Sequence, residues 1–269
     1  MKSFFTPEPV IFFNSPASKE YPGNTNQALE KAFSAGADVA CLNIQYSKDK
    51  VIMAISETMI DNLCESSGAV SDFTSEELKR FDAGYRFTDD SGNFPFRGKG
   101  FRFQTLEEIF RTFPDKRFNI TIMTKDAELV NDYISLVKKN NAVNRVLTST
   151  MYGKNIRLVR RLLPESATAF TLAGIIGVYA LFKSGLLYFV NSFKADALQT
   201  PEAIGASYLA NSVLIDQLHG KGIKTHVWYV KDILQLKRVY ETGADGFMVD
   251  DVSMVKEFLA GKKAENSGS

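Results

Sequence analysis

Among its 269 residues the chain has only two cysteines, two histidines and a formal net charge of +1. Cys41 and Cys64 do not make a disulfide framework, which points to a reducing, cytoplasmic setting. A charge this close to zero gives no electrostatic case for nucleic acid or an anionic membrane as a partner. The first nine residues, Met1 to Pro9, have no apolar run ahead of their prolines, so no secretory signal is expected. Gly98-Lys99-Gly100 lacks the spacing of a phosphate loop. His219 and His226 are read as neutral core or rim residues. His226 stands two residues before Trp228 in a strand-like run, so the two side chains share a side.

What the chain does have is an ordinary globular composition, 45% apolar and 23% charged, and enough length for one α/β barrel. Apolar runs at 10–13, 39–44, 118–123, 146–149, 167–171, 195–198, 225–230 and 246–249 alternate with helical stretches. Asn24 offers a helix N-cap, and Gly36 stops that helix after Ser34. Thr74 with Glu77, and Thr105 with Glu108, have capping-box spacing. Asp250-Asp251 is placed to cap the terminal helix. The run 51–55 reads as the hairpin partner of the second strand, which leaves eight parallel strands. Right-handed strand–helix–strand units in that number close into a single (β/α)8 TIM barrel. The expected organisation is a barrel over residues 1–261, a small insertion of about 46–104 after the second strand, and a frayed tail over 262–269.

Between Ala167 and Phe193 the only charge is Lys183. The stretch is long enough for a membrane span, but removing it would cost the barrel a strand and a helix. It is therefore expected to be a helix with an apolar patch for core, lipid, a partner subunit or a membrane surface.

In such a barrel the chemistry is built at the C-terminal ends of the strands. Those ends carry Asn14, Ser15, Cys41, Asn43, Ser56, Thr121 and Met123. Tyr21-Pro22-Gly23-Asn24-Thr25, Gly36-Ala37-Asp38, Phe81-Asp82-Ala83-Gly84-Tyr85, Ala195-Asp196-Ala197, His226-Val227-Trp228 and Gly243-Ala244-Asp245-Gly246 surround them, in that order. In order and spacing these words resemble the glycerophosphodiester phosphodiesterase family from about residue 9 to 260. The resemblance implies a TIM barrel of phospholipid and glycerophosphodiester metabolism that works with Ca²⁺ or Mg²⁺.

The departures fall on the catalytic words. The family's His-Arg-Gly, an acid/base histidine and a phosphate-binding arginine, stands here as Asn14-Ser15-Pro16. Pro-Glu-Asn-Thr has Gly23 for its glutamate. Glu-x-Asp, two metal ligands, is Cys41-Leu42-Asn43, and His-Asp is Ser56-Glu57. Glu-x-Lys is Thr121-Ile122-Met123, and of Trp-Thr-Val-Asn only Trp228 and Val230 remain. Without carboxylate charge at 41, 43 and 121, no divalent cofactor is expected. The chain reads as a pseudoenzyme whose pocket, lined by Asn14, Ser15, Cys41, Asn43, Ser56, Glu57, Thr121, Met123 and Trp228, holds a small molecule or lipid headgroup. The competing reading is a metal-independent phosphoric diester hydrolase using Glu57 or Cys41.

Overall fold

The structure, a computed structural model, describes residues 2–18, 20–205 and 207–267. Its elements in order are β1 (Val10–Phe13), α1 (Asn26–Ser34), β2 (Val39–Tyr46), β3 (Ile52–Ala54), α2 (Ser75–Arg80), β4 (Gln104–Thr105), α3 (Leu106–Thr112), β5 (Arg117–Ile122) and α4 (Ala127–Lys139). They continue with β6 (Val146–Thr150), α5 (Gly153–Leu162), β7 (Ala167–Thr168), α6 (Leu172–Lys183), β8 (Ala197–Pro201), β9 (Ala203–Ile204), β10 (Ser207–Tyr208), α7 (Ser212–His219), β11 (Lys224–Val230), α8 (Ile233–Glu241), β12 (Gly246–Val249) and α9 (Val252–Ser267). The parallel strands run in the order β7-β6-β5-β2-β1-β12-β11-β8. The ends of that path meet where Ala169 bridges Ala197, so the eight strands form a TIM barrel with a short seam. β3 pairs antiparallel with β2, with Ile44 opposite Ala54, and β4 pairs with β3, so the run near 51–55 stays outside the barrel.

Strand alternation sorts the core. Ile11, Phe13, Ala40, Leu42, Ile120 and Phe247 face the helices and pack with Leu29, Phe110 and Tyr133. Val10, Phe12, Val39, Cys41, Leu147, Ala197 and Met248 fill the barrel interior. His226 lies fully buried among them, its ring 4.5 Å from Phe12 and 5.6 Å from Phe5. Gly246 makes room for this packing, because a Cβ there would stand 2.8 Å from the Phe12 ring and 3.1 Å from His226.

At the N-terminal end of the strands, three Ala-Asp pairs repeat one device. Asp38, Asp196 and Asp245 each precede a strand and accept a backbone N–H of the neighbouring strand, from Ile11 (2.9 Å), Thr168 (2.8 Å) and Thr225 (2.7 Å). The backbone N–H of each aspartate returns a bond to the same neighbour's carbonyl. Asp196 thereby clamps the seam between β7 and β8, where the ladder is shortest.

Local geometry revises several expectations. Thr25, not Asn24, caps α1, its Oγ1 accepting from Ala28 N, while Asn24 takes a left-handed φ of 58°, away from the extended backbone typical of an N-cap. β7 ends at Thr168, because Thr171 leaves the strand to cap α6 through Gly174 N. Both capping boxes form as spaced, and Asp251 caps α9 through Met254 N. α9 continues through Ser267, so the stretch from Lys262 expected to fray is helical to that point, aided by a Lys262–Glu265 pair of 2.8 Å. Residues 268 and 269 of that expected tail lie outside the described residues. Among the described residues no helix is long and apolar enough to cross a membrane.

Candidate functional site

The inward positions at the C-terminal strand ends enclose a cavity of ≈ 330 Å³. Period-two alternation brings Asn14 from β1, Cys41 and Asn43 from β2, Asn119 and Thr121 from β5, Ser149 from β6, Gln199 from β8, Trp228 from β11 and Met248 from β12 to one space. Phe170, Leu172 and Ile175, from the start of the apolar segment, form one wall with Met151. A register shift between Trp228 and Val230 leaves Tyr229 as the extra residue of β11, at a φ of 59°. Such bulges re-aim side chains, and Tyr229 stands half-exposed at the rim, edge-on to Trp228 at 5.1 Å.

The structure thus brings together five of the residues singled out from sequence: Asn14, Cys41, Asn43, Thr121 and Trp228. The other four lie elsewhere. Ser15 is fully buried in the turn after β1, its Oγ accepting from Asn24 N at 2.9 Å. Ser56 meets the site only through its carbonyl, which accepts from Asn43 Nδ2 at 3.3 Å. Glu57 is exposed, and its carboxylate accepts from Asn62 Nδ2 at 3.3 Å rather than facing the cavity. Met123 lies one residue beyond β5, tied by its backbone N–H to Ile44 O. Asn119, Ser149 and Gln199 escaped sequence reasoning, although each sits within three positions of the C-terminal end of its strand with the parity of its neighbours.

Among the described residues, no carboxylate, imidazole, ammonium or guanidinium lines the cavity. Cys41 is 7% exposed, and burial pushes its thiol up to about 12, only partly countered by the contact with Asn119 Nδ2 at 3.5 Å. Burial therefore works against a thiolate nucleophile at that position. Thr121 Oγ1 and Ser149 Oγ share a hydrogen bond of 2.8 Å. Asn14 Nδ2 donates to Asp250 Oδ1 at 3.2 Å, and Asp250 lines a neighbouring pocket rather than the mouth. His226, below the floor, is pulled down to about 3, first by burial and despite the opposing charge of Asp245.

A hard divalent ion wants oxygen ligands with carboxylate charge among them. At positions 41, 43 and 121, where the resemblance implies metal ligands, the donors are a thiol, an amide already engaged with Ser56 and a hydroxyl already engaged with Ser149, and they do not fit such an ion. Among the described residues no group of three or more His, Cys, Asp or Glu side chains is arranged to hold a metal. The cations Lys154, Arg157, Arg160, Arg161 and Lys194 line a separate groove along α5 that shares no residue with the mouth.

A Cβ on Gly23, where the resemblance implies a glutamate, would stand 2.4 Å from the carbonyl oxygen of Ser15. Any side chain there requires the turn of residues 15–17 to move.

A model of the glycerophosphoryl diester phosphodiesterase family matches residues 17–254. A glycerophosphodiester phosphodiesterase of Caldanaerobacter subterraneus subsp. tengcongensis is 27% identical over 240 residues, covering 87% of this chain and 90% of its own length. Human lysophospholipase D GDPD1 is 26% identical over 263 residues, covering 88% of this chain and 81% of its own length. Among solved structures, the glycerophosphoryl diester phosphodiesterase domain of an uncharacterized Mycobacterium tuberculosis protein superposes with a TM-score of 0.82. It does so at 18% identity, over 93% of this chain and 99% of that one.

Proposed function

The chain belongs to the glycerophosphoryl diester phosphodiesterase family, and from that membership we propose that its barrel mouth binds a ligand without cleaving a phosphodiester. The observation that carries this reading is the uncharged wall of the cavity. Cleavage needs a Lewis acid for the phosphoryl oxygens, a base for the attacking water and an acid for the leaving alkoxide. Each general acid or base contributes about 10²–10⁴-fold, and the metal contributes several kcal/mol of charge stabilisation. Asn14 and Ser56 stand at the two acid/base positions and supply neither function. Cys41, Asn43 and Thr121 supply no carboxylate charge. A concave, largely apolar space with a few converging polar groups remains suited to holding a molecule.

A metal-free hydrolase has less support. The Cys41 thiol is held protonated by burial, and the Glu57 carboxylate points away to Asn62. The test is an assay of glycerophosphocholine hydrolysis with Mg²⁺, Ca²⁺ or chelator, comparing the native protein with Cys41→Ser and Glu57→Gln. No turnover in any of them is the expected outcome. Turnover that survives chelator and vanishes in either variant would establish the hydrolase instead. Restoration by Cys41→Glu, Asn43→Asp, Thr121→Glu, Asn14→His and Ser56→His together is expected to stay incomplete, because the glutamate at position 23 cannot return without displacing Ser15.

A further inference from the structure

We propose that the mouth takes an uncharged, hydroxyl-bearing headgroup that carries an acyl chain, in its simplest form a monoacylglycerol, and rejects anionic phosphodiesters; this rests on the binding role proposed above. The cavity is two-sided. Among the described residues, one side offers only neutral amides and hydroxyls, those of Asn43, Asn119, Thr121, Ser149 and Gln199. The other offers the apolar wall of Phe170, Leu172 and Ile175. A phosphodiester or carboxylate entering this space sheds its water with no counter-charge to meet it, and an unpaired buried charge is far more costly than a neutral polar group. The cations along α5 lie outside the barrel and cannot compensate.

A hydroxyl fits what the floor leaves open. Asn119 Oδ1 and Gln199 Nε2 are buried without a hydrogen-bond partner. One is an acceptor and the other a donor, so separate hydroxyls of a polyol headgroup can donate to the first and accept from the second. Turning an amide over changes that atom from acceptor to donor or the reverse, and a hydroxyl can meet it in either role. The apolar wall continues out of the cavity, since Leu172 is 50% exposed and Met151 67% exposed at the rim. An acyl chain running from the floor along this wall covers surface that otherwise faces water.

Trp228 is the only tryptophan of the chain and lines the cavity, so its emission reports occupancy directly. The full-length protein is titrated with a medium-chain monoacylglycerol, the lysophosphatidate of the same chain length, and glycerophosphocholine. The expected result is a saturable emission change with the monoacylglycerol and affinity at least about tenfold weaker for both phosphate compounds. Leu172→Ser, a change at an exposed position, is expected to weaken monoacylglycerol binding about tenfold. Thr121→Lys, which supplies the missing counter-charge, is expected to shift preference toward the lysophosphatidate. Tighter binding of either phosphate compound to the native protein, without hydrolysis, overturns the ligand class and leaves the binding role standing. Hydrolysis of either overturns both. No saturable response to the monoacylglycerol also overturns the ligand class.

Discussion

At the N-terminal end of the barrel, Asp38, Asp196 and Asp245 are each tied to a neighbouring strand and to a basic side chain: Arg117 at 3.5 Å, Lys2 at 3.0 Å and Lys224 at 3.0 Å respectively. At the C-terminal end, the cavity walls carry amides, hydroxyls and hydrocarbon, and two of the amides keep a polar atom unpaired. Among the described residues, charge sits in the paired networks of the N-terminal end and is missing from the lining of the mouth. In barrels of this kind the N-terminal face serves stability and the C-terminal face serves function. Asp38 and Asp245 carry the network at one end, while Asn14, Cys41, Asn43 and Thr121 give the mouth at the other its neutral polar groups.

The sharpest way to break this comparison is to remove a charge from the satisfied end. Asp245 is 6% exposed and accepts from Thr225 N (2.7 Å), Lys224 Nζ (3.0 Å) and His219 Nε2 (2.7 Å). Burial works against the Lys224 charge, but Glu8 and Asp245 beside it hold its pKa above the ordinary value. Asp245→Ala leaves that nearly buried ammonium with Glu8 alone and strands a backbone N–H. We expect a loss of about 3–5 kcal/mol in urea unfolding. A loss below about 1 kcal/mol would show that the network is decoration.

The same contrast explains what could be read in the sequence. The frame was legible because strand alternation and caps are local: β1 and β12 have the expected limits, and both capping boxes formed. Boundaries slipped where a side chain chose between roles, as Thr171 did in capping α6 instead of extending β7. Within the site, Asn14, Cys41, Asn43 and Thr121 were recoverable by their place at strand ends. Ser56 and Glu57 were not, because they follow β3, whose path depends on antiparallel pairing with β2 rather than on barrel alternation. Asn119 and Gln199 went unnoticed for a different reason. Nothing in a lone amide two residues from a strand end marks it as facing a cavity until the barrel is closed around it.

His226 lies between the two ends and measures where the satisfied charge stops. It is fully buried, and neither ring nitrogen has a hydrogen-bond partner. Burial lowers its pKa from 6.5 to about 3. Between those values the unfolded chain binds a proton that the folded protein refuses. Stability contributed by the neutral ring is therefore fully present above pH 6.5 and is lost as pH falls toward 3. The slope approaches ~1.4 kcal/mol per pH unit, or about 2–3 kcal/mol between pH 6.5 and 4.5. His226→Leu removes the titrating group, so the difference between native and variant stability should carry this slope whatever the carboxylates contribute. A difference that stays constant over that range would mean the ring is protonated or hydrated in the folded protein.

The smallest effect is expected at the mouth itself. Thr121 and Ser149 bond each other at 2.8 Å, and both line the cavity. Removing one partner leaves the other a hydroxyl that can still meet water in the open space. Removing both deletes a donor and an acceptor together, which is close to neutral when the shapes are kept. The double variant Thr121→Val with Ser149→Ala should therefore unfold within about 1 kcal/mol of the native protein in either direction. Its single-variant effects should not add, because the two side chains share one hydrogen bond. The same double variant loses two of the hydroxyls proposed to meet a neutral headgroup, so its Trp228 titration with monoacylglycerol should weaken while the fold stays intact. A mouth built for support would give the reverse, a loss of several kcal/mol comparable to Asp245→Ala with ligand response unchanged. Only the first outcome keeps the two ends of the barrel as different as their residues suggest.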